Sequence, residues 1–263
     1  MSRKHKFVLI SNWRCGCSTM ANLFAPYSDF TYTNREPCKK LLGQEYGKIV
    51  HWPAKKIKPI FRRRGWNWDK YVKIMTVRNP WARIVSLYHY SMNGQRKRNG
   101  KEVSEAITDP KSEKFKKLKV KFNEYVKTQL PRWKSGIKNR WISYEMVHYN
   151  KGKQIVDYVI KIENLEKELS KIVSKHFSDF EFDYTIKRNS TDHIHYSYYY
   201  TSETRNLVAN MFKWEIRKFK YKFERPPPKK DKEDKDKEDK DKEDKDKEDK
   251  EKEEKDINNK TFN

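Results

Sequence analysis

The chain has few cysteines, no long apolar run and a shortage of acidic residues over most of its length. Three cysteines in 263 residues, Cys15, Cys17 and Cys38, make no disulfide framework. Cys15-Gly-Cys17, Cys38 and seven scattered histidines show no repeated metal-ligand spacing, which argues against zinc. No stretch of about 18 apolar residues is present, so no membrane-spanning helix is encoded. The opening segment MSRKHKFVLIS has basic residues, but its apolar run, Phe7–Ile10, is too short for a signal-peptide core. The default expectation is a reducing cytoplasm. The Walker pattern GxxxxGK[ST] is also missing, which removes support for Mg²⁺–triphosphate chemistry.

The acid deficit becomes clear once the end of the chain is set aside. After Pro226-Pro227-Pro228 the motif DKEDK occurs four times in succession, followed by EKEEKD. Lys229–Asp256 has no apolar residue and cannot bury enough surface to offset its ordering entropy. It reads as a solvated tail, transiently helical at most. It holds 12 Lys against 16 Asp or Glu, a net of −4, so the rest of a +24 chain carries +28. The expected organisation is a basic domain over residues 1–225 and a charged, disordered tail over 226–263. Such a field attracts nucleic acid, anionic lipid, sulfated or phosphorylated sugars, or a nucleotide cofactor.

Within the domain, apolar runs at Phe7–Ser11, Tyr71–Val77 and Ile155–Ile162 read as buried strands, with a short one at Ile49–His51. Helical spacing marks Ser18–Ala25, Ala54–Arg64, a helix opening at Pro80, Phe115–Leu130, a helix after Asn164, and Ser202–Phe219. Tyr27–Gly47, Gln95–Lys117 and Lys187–His195 read as polar or mobile loops. Strands alternating with helices imply an α/β fold with a parallel sheet covered on both faces. Ligands of such sheets sit at the carboxyl ends of the strands.

Two segments carry candidate chemistry. In Lys6–Met20, KFVLISNWRCGCSTM, a strand runs into a small-residue turn and then a helix, an arrangement whose backbone N–H groups can hold an anion. Arg14 is its nearest cation, and Ser18 and Thr19 open the helix. The alternative is an ordinary strand–helix turn. In Val77–Tyr88, VRNPWARIVSLY, Arg78 ends a strand and Ser86 lies two turns into the next helix. The two can converge on one phosphate; alternatively Arg78 caps the sheet edge and Ser86 is a packing residue. Together the segments point to a ligand with two phosphate-like groups.

In order along Lys6–Phe223, these motifs resemble the sulfotransferases that use 3′-phosphoadenosine-5′-phosphosulfate (PAPS), in particular the Golgi carbohydrate branch and its bacterial and viral relatives. WRCGCST is similar to that family's PKxGCS or PKxGST loop for the 5′-phosphosulfate, with Arg14 at the usual Lys position. VRNPWARIVSLY is similar to its 3′-phosphate motif VRNPxxRLVSxY. Further matches are His51-Trp52-Pro53-Ala54, Trp68-Asp69-Lys70-Tyr71, Val156-Asp157-Tyr158, Ile162-Glu163-Asn164-Leu165, Tyr199–Thr204 and the closing Tyr221-Lys222-Phe223.

The resemblance implies a P-loop NTPase-like three-layer α/β/α fold and transfer of a sulfuryl group from PAPS, without a metal, to an acceptor hydroxyl, by analogy one on a carbohydrate. Arg14, Cys15, Gly16, Cys17, Ser18 and Thr19 would bind the 5′ end, and Arg78 and Ser86 the 3′-phosphate. His51 would be the base, and Arg14 would stabilise the leaving oxygen. Arg stays protonated and presents a planar fork, so it neutralises charge better than it delivers a proton. His51 could equally be a hydrogen-bonded structural histidine. Glu163 could be a cleft group or a helix N-terminal charge. His193 and His195 read as loop residues. Lys187 and Arg188 could reach a phosphate but fit solvated surface. The aromatic residues suit sugar stacking or core packing. Two other readings stay open: a non-catalytic basic domain binding glycan or nucleic acid, and a phosphoryl-transfer enzyme on the same fold.

Overall fold

The apolar residues of three strands alternate between two faces, and this alternation builds the core. A computed structural model describes residues 1–31, 34–98, 107–134, 154–185 and 193–226. Strands β1 (Phe7–Ile10), β2 (Val72–Val77) and β3 (Tyr158–Lys161) form a parallel sheet in the order β1-β2-β3. Ile10 pairs with Met75, and Val77 with Lys161, so the three carboxyl ends leave the sheet on one side.

Helix α1 (Cys17–Leu23) and helix α7 (Leu165–His176) pack on one face. There Phe7, Ile74 and Ile160 meet Met20, Leu23, Leu169 and Ile172. On the other face Val8, Ile10, Met75 and Val77 meet α2 (Glu36–Leu42), α3 (Tyr46–Ile49) and α4 (Ala54–Arg63). This is an α/β architecture with a small open parallel sheet, compatible with three layers. Lys73, buried inside β2, is tolerated because its ammonium pairs with Asp157 at 2.9 Å.

A third cluster is wholly helical. Helix α5 (Pro80–Arg98) starts with Pro80, and the Asn79 side chain accepts the N–H groups of Trp81 and Ala82. Helix α6 (Glu113–Lys134), a 3-10 turn at Tyr196–Tyr199 and α8 (Ser202–Met211) pack against it around Phe122, Val126, Tyr199 and Val208. Thr201 caps α8 in a reciprocal box with Thr204. Among the described residues no helix is long and apolar enough to cross a membrane.

Several expectations need correction. Tyr27–Gly47 is not all loop: α2 and α3 form there, and Ile49–His51 is the end of α3 and a turn, not a strand. The signals were present in Glu36-Pro37 at a helix start, Cys38 and Leu42 four apart, and Gly43 in the left-handed conformation that closes a helix. Residues 95–98 continue α5 rather than starting a loop, and α6 runs through Pro131. The strand expected over Ile155–Ile162 is only Tyr158–Lys161.

The last helix is two, α8 and α9 (Lys213–Phe219), broken at buried Phe212. The break lets Val208 and Phe212 fill the helical cluster, while Trp214 and Phe219 cover the sheet. Met1–Glu224 forms one compact unit. The tail from residue 227, Lys187, Arg188 and residues 99–106 of the expected loop lie outside the described residues.

The half-buried His89 ring on α5 stacks on His193, with ring centres 5.1 Å apart, and its Nε2 lies 2.9 Å from the Tyr199 hydroxyl. Burial, then the neighbouring His193, lowers its pKa from 6.5 to about 4. The unfolded chain therefore takes up this proton at a higher pH than the native protein does. His89 contributes stability above pH 6.5 that is lost as pH falls toward about 4. Urea denaturation of wild type and His89→Gln across pH 7 to 4 should show a steeper loss for wild type; parallel curves would contradict this.

Candidate active site

The turn after β1 is held by hydrogen bonds from β2 and α5. Buried Asn12 donates from Nδ2 to the Thr76 carbonyl at 3.2 Å. Arg83, only 3% exposed, donates from Nε to the Trp13 carbonyl at 2.9 Å and from Nη2 to Asn12 Oδ1 at 3.0 Å. Its role was not anticipated from the sequence. The available hints were an arginine on the otherwise buried face of α5 and its match to the second Arg of VRNPxxRLVSxY.

Within this turn Arg14 has φ 59°, a left-handed conformation that costs a side-chain-bearing residue about 1–2 kcal/mol. Gly16, also left-handed at φ 79°, then opens α1. A Cβ on Gly16 would lie 2.3 Å from Ile162 Cδ1, so the turn is pressed against the chain that leaves β3.

The strained Arg14 projects its guanidinium to α5. Nη2 and Nε donate to Ser86 Oγ at 2.8 and 3.2 Å, and the group lies 4.7 Å from the centre of the Tyr90 ring. The two sequence motifs therefore meet in one place. Arg78 follows the last residue of β2 and is also close: burial, then Arg78, lowers the Arg14 pKa. Arg78 is largely buried and makes no hydrogen bond or ion pair among the described residues. Burial likewise lowers its pKa, opposed by Cys15 and Glu163. Arg14 and Arg78 are thus both partly dehydrated cations at the carboxyl ends of neighbouring strands, with Arg78 outside the cleft lining. Bringing like charges together costs energy that a bound dianion would recover.

His51 joins the same region from the turn after α3. Its Nδ1 lies 3.0 Å from the Ser11 carbonyl, which can only accept. The proton of the neutral ring is therefore on Nδ1, and Nε2 holds the lone pair. The Trp13 ring lies parallel to the imidazole within 3°, at 5.0 Å between centres. Arg14, Cys17, Ser18, His51, Trp13 and Tyr90 line a cleft with about 90 Å³ of space. Burial raises the Cys17 thiol pKa against the pull of Arg14, and pushes buried Cys15 up to about 11. Both thiols are thus protonated near neutral pH. Thr19 lies on α1, half-buried and beyond the cleft lining.

Glu163 has a structural position. Its carboxylate accepts the Asn79 N–H at 2.6 Å and the Tyr221 hydroxyl at 3.3 Å, tying the ends of β2 and β3 together. His195 caps the 3-10 turn through Ser197. Among the described residues no three His, Cys, Asp or Glu side chains converge as a metal would need. Comparison of the chain with protein-family models, curated proteins and solved structures found no match.

Gly16→Ala should lower stability by about 2–3 kcal/mol, through left-handed strain and overlap with Ile162. An unchanged urea midpoint would show that the turn relaxes away from β3.

Proposed function

We propose that this chain is a sulfotransferase on a P-loop NTPase-like fold, moving a sulfuryl group from PAPS to an acceptor hydroxyl. The observation that carries the reading is the contact of Arg14 with Ser86 beside Arg78. It joins two anion-binding motifs at the carboxyl ends of neighbouring strands. PAPS, as co-substrate, has two anionic ends, and the residues present suit both. Arg78 is a largely buried cation with no hydrogen-bonded partner among the described residues. Arg14 is a second cation, and the Gly16 turn leaves no room for a side chain on the Ile162 side.

On this reading Arg78 and Ser86 hold the 3′-phosphate. Arg14, Cys17 and Ser18, with the backbone of the Gly16 turn, hold the 5′ end. Because Arg14 now occupies Ser86, it turns from that hydroxyl toward the 5′ end when ligand enters. His51 Nε2 takes the acceptor proton. The acceptor oxygen forms a bond to sulfur as the bond from sulfur to the bridging oxygen breaks. The electron pair leaves with 3′-phosphoadenosine-5′-phosphate, and Arg14 offsets the charge on that oxygen. The Ser11 carbonyl and the Trp13 ring fix the orientation of His51, which an efficient base needs.

Calorimetric titration tests the cofactor half. 3′-Phosphoadenosine-5′-phosphate should bind at least tenfold tighter than adenosine 5′-phosphate, and Arg78→Ala should abolish the difference. Equal affinities would remove Arg78 and Ser86 from that role. Salt-sensitive binding of heparin or RNA, indifferent to the nucleotide and without turnover, would favour a polyanion-binding module. For the base, His51→Ala should lower kcat about 100-fold with nucleotide binding retained; near-normal turnover would exclude it.

A further inference from the structure

Two side chains of the cleft each lie against an aromatic ring: His51 against Trp13, and Arg14 against Tyr90. Tyr90 stands on α5 four residues after Ser86, so the hydroxyl and the ring share one face of the helix, a turn apart. Arg14 rests on both. Its Nε and Nη2 donate to Ser86 Oγ, and its guanidinium carbon lies 4.7 Å from the centre of the Tyr90 ring. No carboxylate lines the cleft. An apolar space of about 70 Å³, lined by Val8, Leu42, Ile49 and Ile57, adjoins it through Ser11, Tyr46 and Val50 and offers none either. Among the described residues Arg14 therefore rests on a neutral hydroxyl and a π face. Tyr90 is 50% exposed, so core packing does not account for it. Its hydroxyl makes no hydrogen bond among the described residues.

The two supports part company when ligand enters. Ser86 is then taken by the 3′-phosphate, and Arg14 loses its hydrogen-bond acceptor. We propose that Tyr90 is the positioning residue for Arg14: its ring face retains the guanidinium in the cleft while that group turns from Ser86 toward the 5′ end. This rests on the sulfotransferase reading. A ring face suits the task. A hydrogen bond to a hydroxyl is directional, and turning the donor breaks it. Attraction to a ring quadrupole depends on distance from the face, so the cation can rotate there without losing it. The guanidinium is also planar and weakly hydrated, which favours stacking. Without the ring, the long Arg14 side chain would gain rotamer freedom once Ser86 is withdrawn, and that entropy opposes its return to the cleft.

Preference for a 5′-phosphate isolates the part Arg14 plays. 3′-Phosphoadenosine-5′-phosphate and adenosine 3′-phosphate differ only at the 5′ end, so the ratio of their affinities reads the groups that bind there. Calorimetric titration of the full chain gives this ratio for wild type, Tyr90→Phe, Tyr90→Leu and Tyr90→Gln. Phe keeps the ring and removes the hydroxyl. Leu and Gln both remove the π face, one with an apolar and one with a polar side chain. Arg14→Ala supplies a background in which the ring has no cation to hold.

Wild type and Tyr90→Phe should share one ratio, about tenfold or more in favour of the bisphosphate. Tyr90→Leu and Tyr90→Gln should lower it about fivefold, with a cooperative melt and an unchanged affinity for adenosine 3′-phosphate. In the Arg14→Ala background Tyr90→Leu should change the ratio no further. A wild-type ratio in a folded Leu or Gln variant overturns the role of Tyr90. So does a loss in Tyr90→Phe equal to that in Tyr90→Leu, or an equal weakening of both nucleotides, which marks a purely structural part. A wild-type chain that binds both nucleotides alike overturns it too, since Arg14 then does not serve the 5′ end; the 3′-phosphate half of the sulfotransferase reading survives that result. Failure of 3′-phosphoadenosine-5′-phosphate to bind at all removes the sulfotransferase reading, and this inference with it.

Discussion

The contact of Arg14 with Ser86 ties the turn after β1 to helix α5 at the carboxyl end of the sheet, and much of the local structure serves to hold it there. Arg14 reaches this place only because its backbone adopts a left-handed conformation that most residues avoid. The turn bearing it is pinned by Arg83 and Asn12. Arg78 is placed by β2, and the next residue, Asn79, is tied through its N–H to Glu163. Neither guanidinium forms an ion pair among the described residues. The arrangement holds backbone strain at Arg14 and two partly dehydrated cations.

A division of labour follows along the edge of the sheet. Arg14 and Ser86 meet between the turn after β1 and the 19-residue helix α5. His51 approaches from the α3 side, on a short helix and turn, and is steadied by a carbonyl and an indole from the β1 turn. The apolar space lies behind it on the α2–α4 face. The space lined by Val8, Leu42, Ile49 and Ile57 and the cleft lined by Arg14 and His51 share the wall residues Ser11, Tyr46 and Val50. All are set by the short chain segments leaving β1 and α3.

The parallel strands, the helix opening at Pro80 and the two arginine-bearing turns were legible because each rests on local rules: apolar runs, proline at a first helical position, and a small-residue turn between strand and helix. The environment of His51 was not legible in this way. A strand end was expected where the chain makes a helix and a turn, because the burial of Cys38, Leu42 and Ile49 against β1 outweighs the local signal. The single expected helix from Ser202 divides at Phe212 for a similar reason, since its two halves fill different clusters.

From its residue order alone this chain determined an α/β architecture with parallel strands, a strongly basic stretch before residue 226, and two arginine-bearing segments at strand ends. Periodicity, composition and turn chemistry act over a few residues, so they can be read without knowing the fold. Only the tertiary structure decided that Arg14 rests on Ser86, that Arg83 anchors the turn, that Glu163 ties strand ends together, and that an apolar space adjoins His51. Those relations join residues 40 to 84 positions apart, and packing alone brings such residues within reach of one another.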